Sequence, residues 1–291
     1  MFQKTVLKDA VVIADASISH TCKLPRSAFI AAIFIRLYGT GGASGVALDD
    51  LITGVSVKAS APSETYLDLD SDELRLRAKQ LLSIAPGVTN ADGAASELNL
   101  LALFGRKICD KRLMLDAAKH GTLQLTLSFG TLIAATAFAT TTVRLDIEII
   151  QWTESKPSEY KGCIKGMHWT NIVTGTGWKD IALPEGNSYD TICALFSAAT
   201  TVDEIVFGVD NKKQTPIHTK YQNLLEMMTL MYEWATAETV QLIIDFCYVS
   251  TDRSGDLDAA YPAPKDHEYS LHIFRGTTTT TIEIFTFEIV E

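Results

Sequence analysis

Apolar and polar residues alternate one by one along several stretches of this chain, and that period sets its class. In Val143-Arg-Leu-Asp-Ile-Glu-Ile149, Val143, Leu145, Ile147 and Ile149 fall on one side of an extended backbone. Arg144, Asp146 and Glu148 fall on the other. Successive side chains of a strand point to opposite faces, so the segment reads as a half-buried antiparallel strand. Leu123, Leu125, Leu127 and Phe129 repeat the pattern within residues 120–129. Further strands read at 10–14, 29–38, 52–58, 98–104, 191–197, 203–209, 238–249, 269–274 and 281–290. Val, Ile, Thr and Phe dominate them, as a pleated, half-buried surface favours.

Helices are few. Asp70 and Glu73 are spaced so that each side chain can accept from the other's backbone N–H, a helix start. Leu74, Ala78, Leu81 and Leu82 follow at helical spacing. A second helix reads from about His218 to Ala235, with Leu224, Met228, Met231 and Tyr232 as its stripe. The class is mostly β, with one short helix in each half.

The halves repeat in order of elements. Thr21-Cys-Lys-Leu-Pro25 has a counterpart in Asp180-Ile-Ala-Leu-Pro184, and an apolar strand follows each, Phe29 to Leu37 and Thr191 to Phe196. Next come Leu51 to Val57 and Glu204 to Val209, each followed by a polar turn and then the helix. Each half closes on an acid-patterned strand, Leu145-Asp-Ile-Glu-Ile149 and Phe285-Thr-Phe-Glu-Ile289. The polar stretch around Pro157 reads as a linker, dividing the chain into domains 1–153 and 165–291 joined by residues 154–164. Residues 85–96, 131–142 and 251–266 read as long surface loops.

Composition narrows the function. The 291 residues are 47% hydrophobic and 21% charged, more apolar surface than one small core needs. Two cores plus subunit interfaces would use it. The net charge of −10 repels phosphate, so direct nucleic-acid binding is not expected. Cys22, Cys109, Cys163, Cys193 and Cys247 are odd in number and never spaced C-x-x-C, so they read as small apolar fillers. No secretory leader is expected, since Asp9 and Asp15 break the first apolar run. No apolar stretch approaches the ~20 residues that span a bilayer.

Candidate chemistry is thin. Residues 39–45 are glycine-rich but miss the phosphate-loop spacing, and a strand rather than a helix follows. Asp68-Leu-Asp-Ser-Asp72 resembles the start of a calcium loop, but lacks Gly at its sixth position and Glu at its twelfth. Asp252, Asp256 and Asp258 are the residues that would hold a divalent ion between subunits, though acidic loop residues are more often simply solvated. His267 and His272 are spaced to face opposite sides of a strand, unlike a zinc pair. Cys163 and His168 do not form an arguable catalytic pair. Trp169, Trp178 and Trp234 read as core or interface anchors, with stacking on sugar rings as the alternative. No enzyme, cofactor or resident metal is expected.

The tandem order of elements resembles the double jelly-roll major capsid proteins of tailless icosahedral viruses, most of all the corticovirus type. Cys22-Lys-Leu-Pro25 before Phe29 to Tyr38, and Ile192 to Val209 before Asp210-Asn-Lys-Lys213, carry the likeness, which spans nearly the whole chain. It implies two tandem jelly-roll β-barrels, eight-stranded sandwiches, each with a short helix. It also implies a homotrimer whose six barrels make a pseudo-hexagonal tile, with the helix-bearing loops helping to hold neighbours. Neighbouring capsomers and minor capsid proteins would be its partners. The virion would be its destination, after synthesis in the host cytoplasm. Such shells often enclose a membrane, and the N-terminal segment with Phe2, Lys4, Val6, Leu7 and Lys8 is the candidate to lie against its lipid. A tandem β-sandwich carbohydrate-binding module and a virion spike or minor capsid protein are the competing readings. A cupin-type barrel enzyme would need a His-x-His motif, absent among the six histidines.

Overall fold

Two strand sets of the same design account for the alternating pattern. The structure is a computed structural model that describes residues 1–13, 18–42, 51–83, 88–89, 93–130, 138, 143–172, 175–196, 202–210, 212–232, 241–248, 255–275 and 282–291. It divides into two units, Met1–Gly166 with Glu291, and Met167–Val290.

The first unit contains β1 (Phe2–Val12), β2 (Ser19–Lys23), β3 (Phe29–Thr40), β4 (Ile52–Ser60) and β5 (Ser63–Leu69), then α1 (Ser71–Leu82). After the helix come β6 (Val88–Thr89), β7 (Ala95–Leu103), β8 (Leu115–Asp116), β9 (Leu123–Phe129) and β10 (Arg144–Trp152). One run of paired strands is β1-β10-β3-β7, with β6 beyond β7 and β8 beside β3. The other is β2-β9-β4-β5. The register sets Ile147 opposite Ile35 in the first run, and Val57 opposite Leu125 in the second. All four side chains are buried, so both runs turn an apolar face to one core.

The second unit is built from β11 (Cys163–Ile172), which starts just ahead of the boundary, β12 (Gly177–Leu183), β13 (Ser188–Phe196), β14 (Glu204–Val209) and β15 (Lys212–Lys220). Then come α2 (Tyr221–Tyr232), β16 (Gln241–Asp245), β17 (Tyr261–Pro262), β18 (Tyr269–Arg275) and β19 (Ile282–Val290). The runs are β16-β13-β19-β11, with β17 beside β13, and β12-β18-β14-β15. With the main strands of each unit numbered one to eight, both units read 1-8-3-6 in one run and 2-7-4-5 in the other. In both, the helix follows the fifth strand. Each unit is therefore an eight-stranded jelly roll.

The cores differ in texture. Tyr189, Phe207, Phe246, Tyr261 and Tyr269 form one connected group in the second unit, with ring centroids 5.0 Å (Phe207–Tyr261) to 6.4 Å apart. In the first unit, aromatic contacts among the described residues are separate pairs such as Phe2–Trp152 and Phe29–Tyr160.

Several expectations need correction. The polar turns expected before each helix are strands, β5 and β15, each reached from the preceding strand by a tight turn. The second helix starts at Tyr221 because His218 to Lys220 belong to β15, and residues 233–235 lie outside the described residues. The strand expected at 238–249 is Gln241–Asp245, with Phe246 and Cys247 already in a turn. The first strand begins not at residue 10 but at Phe2, hydrogen-bonded along β10 from Phe2↔Trp152 to Val12↔Arg144. Part of the loop expected at 85–96 is also strand, since Val88–Thr89 pairs with β7 and β7 begins at Ala95. Of residues 131–142 only Phe138 is described; it is buried and bridges Gly41. Four cysteines are buried, whereas Cys109 is exposed.

Candidate functional site

The residues singled out for chemistry do not converge. Asp252 lies outside the described residues. Asp256 caps the short turn Leu257–Ala259, its carboxylate accepting from the Asp258 N–H at 3.1 Å. Among the described residues no three His, Cys, Asp or Glu side chains gather to hold a metal ion. Cys163 is fully enclosed, and burial, then the nearby Glu64 carboxylate, push its thiol up to about 12. Such a thiol is inert at neutral pH. In the glycine-rich stretch, β3 continues through Thr40 and Gly41 bridges Phe138, while residues 43–45 lie outside the described residues.

His267 and His272 serve different acids. His267 Nδ1 lies 2.7 Å from Asp210 Oδ2, and His272 bonds Asp180. Asp210 sits in the β14–β15 turn with φ of 49°, and its other oxygen accepts from the Glu268 N–H at 3.1 Å. Glu185, Asp210, Lys265, Asp266, His267 and Glu268 line an open cleft of about 550 Å³ that the sequence reading did not pick out. The Asp210-Asn211 turn signal was the available clue. The hydrogen bond and charge of Asp210 raise the His267 imidazole above its ordinary value. Both partners are near half-exposed, so the pair fastens a turn rather than forming a desolvated catalytic centre.

Trp169 and Trp178 are each about 40% exposed. Trp169 donates through Nε1 to Thr286 Oγ1 at 2.6 Å, and Trp178 leans on Phe274 with centroids 5.4 Å apart. Both are thus held by strands of their own unit; Trp234 lies outside the described residues.

What the fold offers instead is surface. In α1, Asp70 accepts from the Glu73 N–H and Glu73 from the Asp70 N–H, both at 2.9 Å, so the expected capping box forms. Leu74, Leu76, Ala78 and Leu81 are buried, and so are Arg77 and Gln80, joined at 2.8 Å. The helix α2 is used differently. Met228 and Tyr232, one turn apart, face inward, while Met227 is 51% and Leu230 79% exposed. Among the described residues of the first unit the exposed large apolar side chains are Met1, Val6 and Val12, at or beside β1, and Ile18, just ahead of β2, whose carbonyl accepts from the Phe129 N–H. Val6 and Val12 pair with Glu148 and Arg144, the solvent-facing side of β10.

Charge divides the same way. The first unit has 18 Lys and Arg against 18 Asp and Glu, and the second has 7 against 17. The whole formal charge of −10 therefore belongs to the second unit.

No helix among the described residues is long and apolar enough to cross a membrane. No family model and no curated protein matches the sequence. Solved structures do. The major capsid protein P2 from bacteriophage PM2 is 17% identical, with a TM-score of 0.66 over 100% of this chain and 98% of that one. The major capsid protein of STIV is 14% identical, with a TM-score of 0.69 over 99% and 97%. The PBCV-1 virus capsid is 10% identical, with a TM-score of 0.68 over 99% and 93%. At such identities the likeness establishes the fold, two tandem jelly rolls of the kind found in these capsid proteins.

Proposed function

We propose that this chain is the major capsid subunit of an icosahedral virus, and that three copies close into a pseudo-hexagonal capsomer. The observation that carries the reading is the duplicated strand order, 1-8-3-6 and 2-7-4-5 in both units. Two like barrels per chain and three chains per ring approximate six-fold symmetry, which tiles a surface without gaps. The role is structural rather than catalytic, since the buried thiol and the histidine–acid pairs are occupied in holding the fold. Its place is the virion, beside neighbouring capsomers and minor capsid proteins.

Light scattering on the purified protein tests this. A mass near three times 31.8 kDa supports the capsomer, and electron microscopy should then show a hexagonal outline. A stable monomer overturns it and turns attention to a binding module, for which glycan screening is the next step.

A further inference from the structure

Resting on that self-assembling reading, we propose that the outward face of α2 in one copy docks on the β1 face of the first unit of a second copy. Each unit carries its own apolar exposure, and the two are unlike. On α2 it is Met227 and Leu230, spaced to share one side of the helix. On β1 it is Val6 and Val12, on the solvent side of a strand fixed in register to β10. Single exposed apolar residues are ordinary, but in each unit two of them, at half or more exposure, share one element.

Charge selects the pairing. An α2–α2 contact would bring together two units that each carry −10. It would also set the exposed Glu226 against its own copy. The first unit is neutral, and Lys4, its side chain 63% exposed and ion-paired with Glu148 at 2.6 Å, stands beside Val6 on the same strand face, so the charge there is balanced within the unit. A contact of α2 on β1 therefore joins apolar to apolar, sets Glu226 against a unit of zero net charge, and escapes the repulsion between two acidic units. Because the two patches differ, the contact is head-to-tail, the kind that closes rings when the rotation permits.

An anionic lipid surface is the other occupant β1 could take. The strand fits it less well. Its backbone is committed to β10, Asp9 is exposed between Val6 and Val12, and it is not the amphipathic helix that lies in a lipid interface.

The test uses the full chain with Cys109→Ser, which removes the exposed thiol. One copy carries Val6→Cys, a differently tagged copy carries Leu230→Cys, and the two are co-expressed and treated with a short bismaleimide. The expected result is a two-chain product at least tenfold more abundant from the pair than from either variant alone. Leu230→Glu should abolish assembly in light scattering while leaving the circular dichroism spectrum unchanged. Equal cross-linking of Leu230→Cys with itself overturns the proposal. So does absence of product from a protein that scatters as a trimer, which leaves the capsomer reading standing. A monomer at every concentration overturns both. Vesicles of phosphatidylserine and phosphatidylcholine that bind wild type but not Val6→Glu, with the trimer mass unchanged, overturn it in favour of lipid.

Discussion

The two barrels share one strand order and use their helices in opposite ways. In the first, α1 is locked by a capping box and buries Leu74, Leu76, Ala78 and Leu81. In the second, α2 buries Met228 and Tyr232 but leaves Met227 and Leu230 in solvent. The first barrel is neutral and the second carries all of the net charge. Topology therefore fixes the number and order of elements, while side chains decide whether a barrel's helix seals its own core or offers a surface. A repeated fold can make the two halves of one chain different partners.

The comparison can be broken most severely in the cores, where the barrels should behave alike. Ile147 and Ile284 lie in the eighth strands of the two barrels, both fully buried. Ile147→Asp and Ile284→Asp should each lower stability by roughly 4 kcal/mol or more, since neither carboxylate would find a partner. Chemical denaturation reads the loss, and a wild-type midpoint for either would undo the equivalence. The helices come next, and there the barrels should part. Leu74→Ala should destabilise by about 2–5 kcal/mol, whereas Leu230→Ala should change monomer stability by no more than about 0.5 kcal/mol. Equal effects would mean that the exposed face of α2 is not exposed in solution. Asp70→Ala removes one half of the capping box and should cost about 1 kcal/mol, measured by thermal melting.

The smallest effect separates the barrels by pH. In the first, burial and then Lys8 lower the His20 imidazole below 6.5. Its unfolded form binds the proton more readily, so stability drops as pH falls below 6.5. In the second, Asp210 raises His267 above 6.5. Its contribution is fully present below 6.5 and is lost as pH rises through the folded value. Histidine proton titrations by NMR should place the two midpoints on opposite sides of 6.5; matching midpoints would remove the contrast.

Strands with one wet face were legible from the sequence because burial writes itself as alternation, as in Leu145, Ile147 and Ile149. The helix start at Asp70 was legible because capping needs specific side chains three residues apart. The strand β5 was not, since Ser63-Glu-Thr opens it with polar residues and a bulge between Val57 and Lys58 shifts its register. The strand β15 contains Pro216, which ordinarily argues against a strand, and the pairing with β14 is irregular across that stretch. The N-terminal strand was hidden because Lys4, Lys8 and Asp9 dilute its apolar pattern. The division of charge needed only counting, since the linker read at 154–164 already parts a neutral 1–153 from an acidic 165–291.

The connected rings of Tyr189, Phe207, Phe246, Tyr261 and Tyr269 have an optical consequence. Aromatic groups held at fixed angles in an asymmetric packing absorb left- and right-handed light unequally in the near ultraviolet, and lose that signal when the packing loosens. With one barrel holding such a group and the other, among the described residues, scattered pairs, the near-ultraviolet spectrum is weighted toward the second barrel, while the far-ultraviolet spectrum reports strands in both. The chain thus carries its own spectroscopic label, able to show without any added dye whether its two halves melt together or in turn.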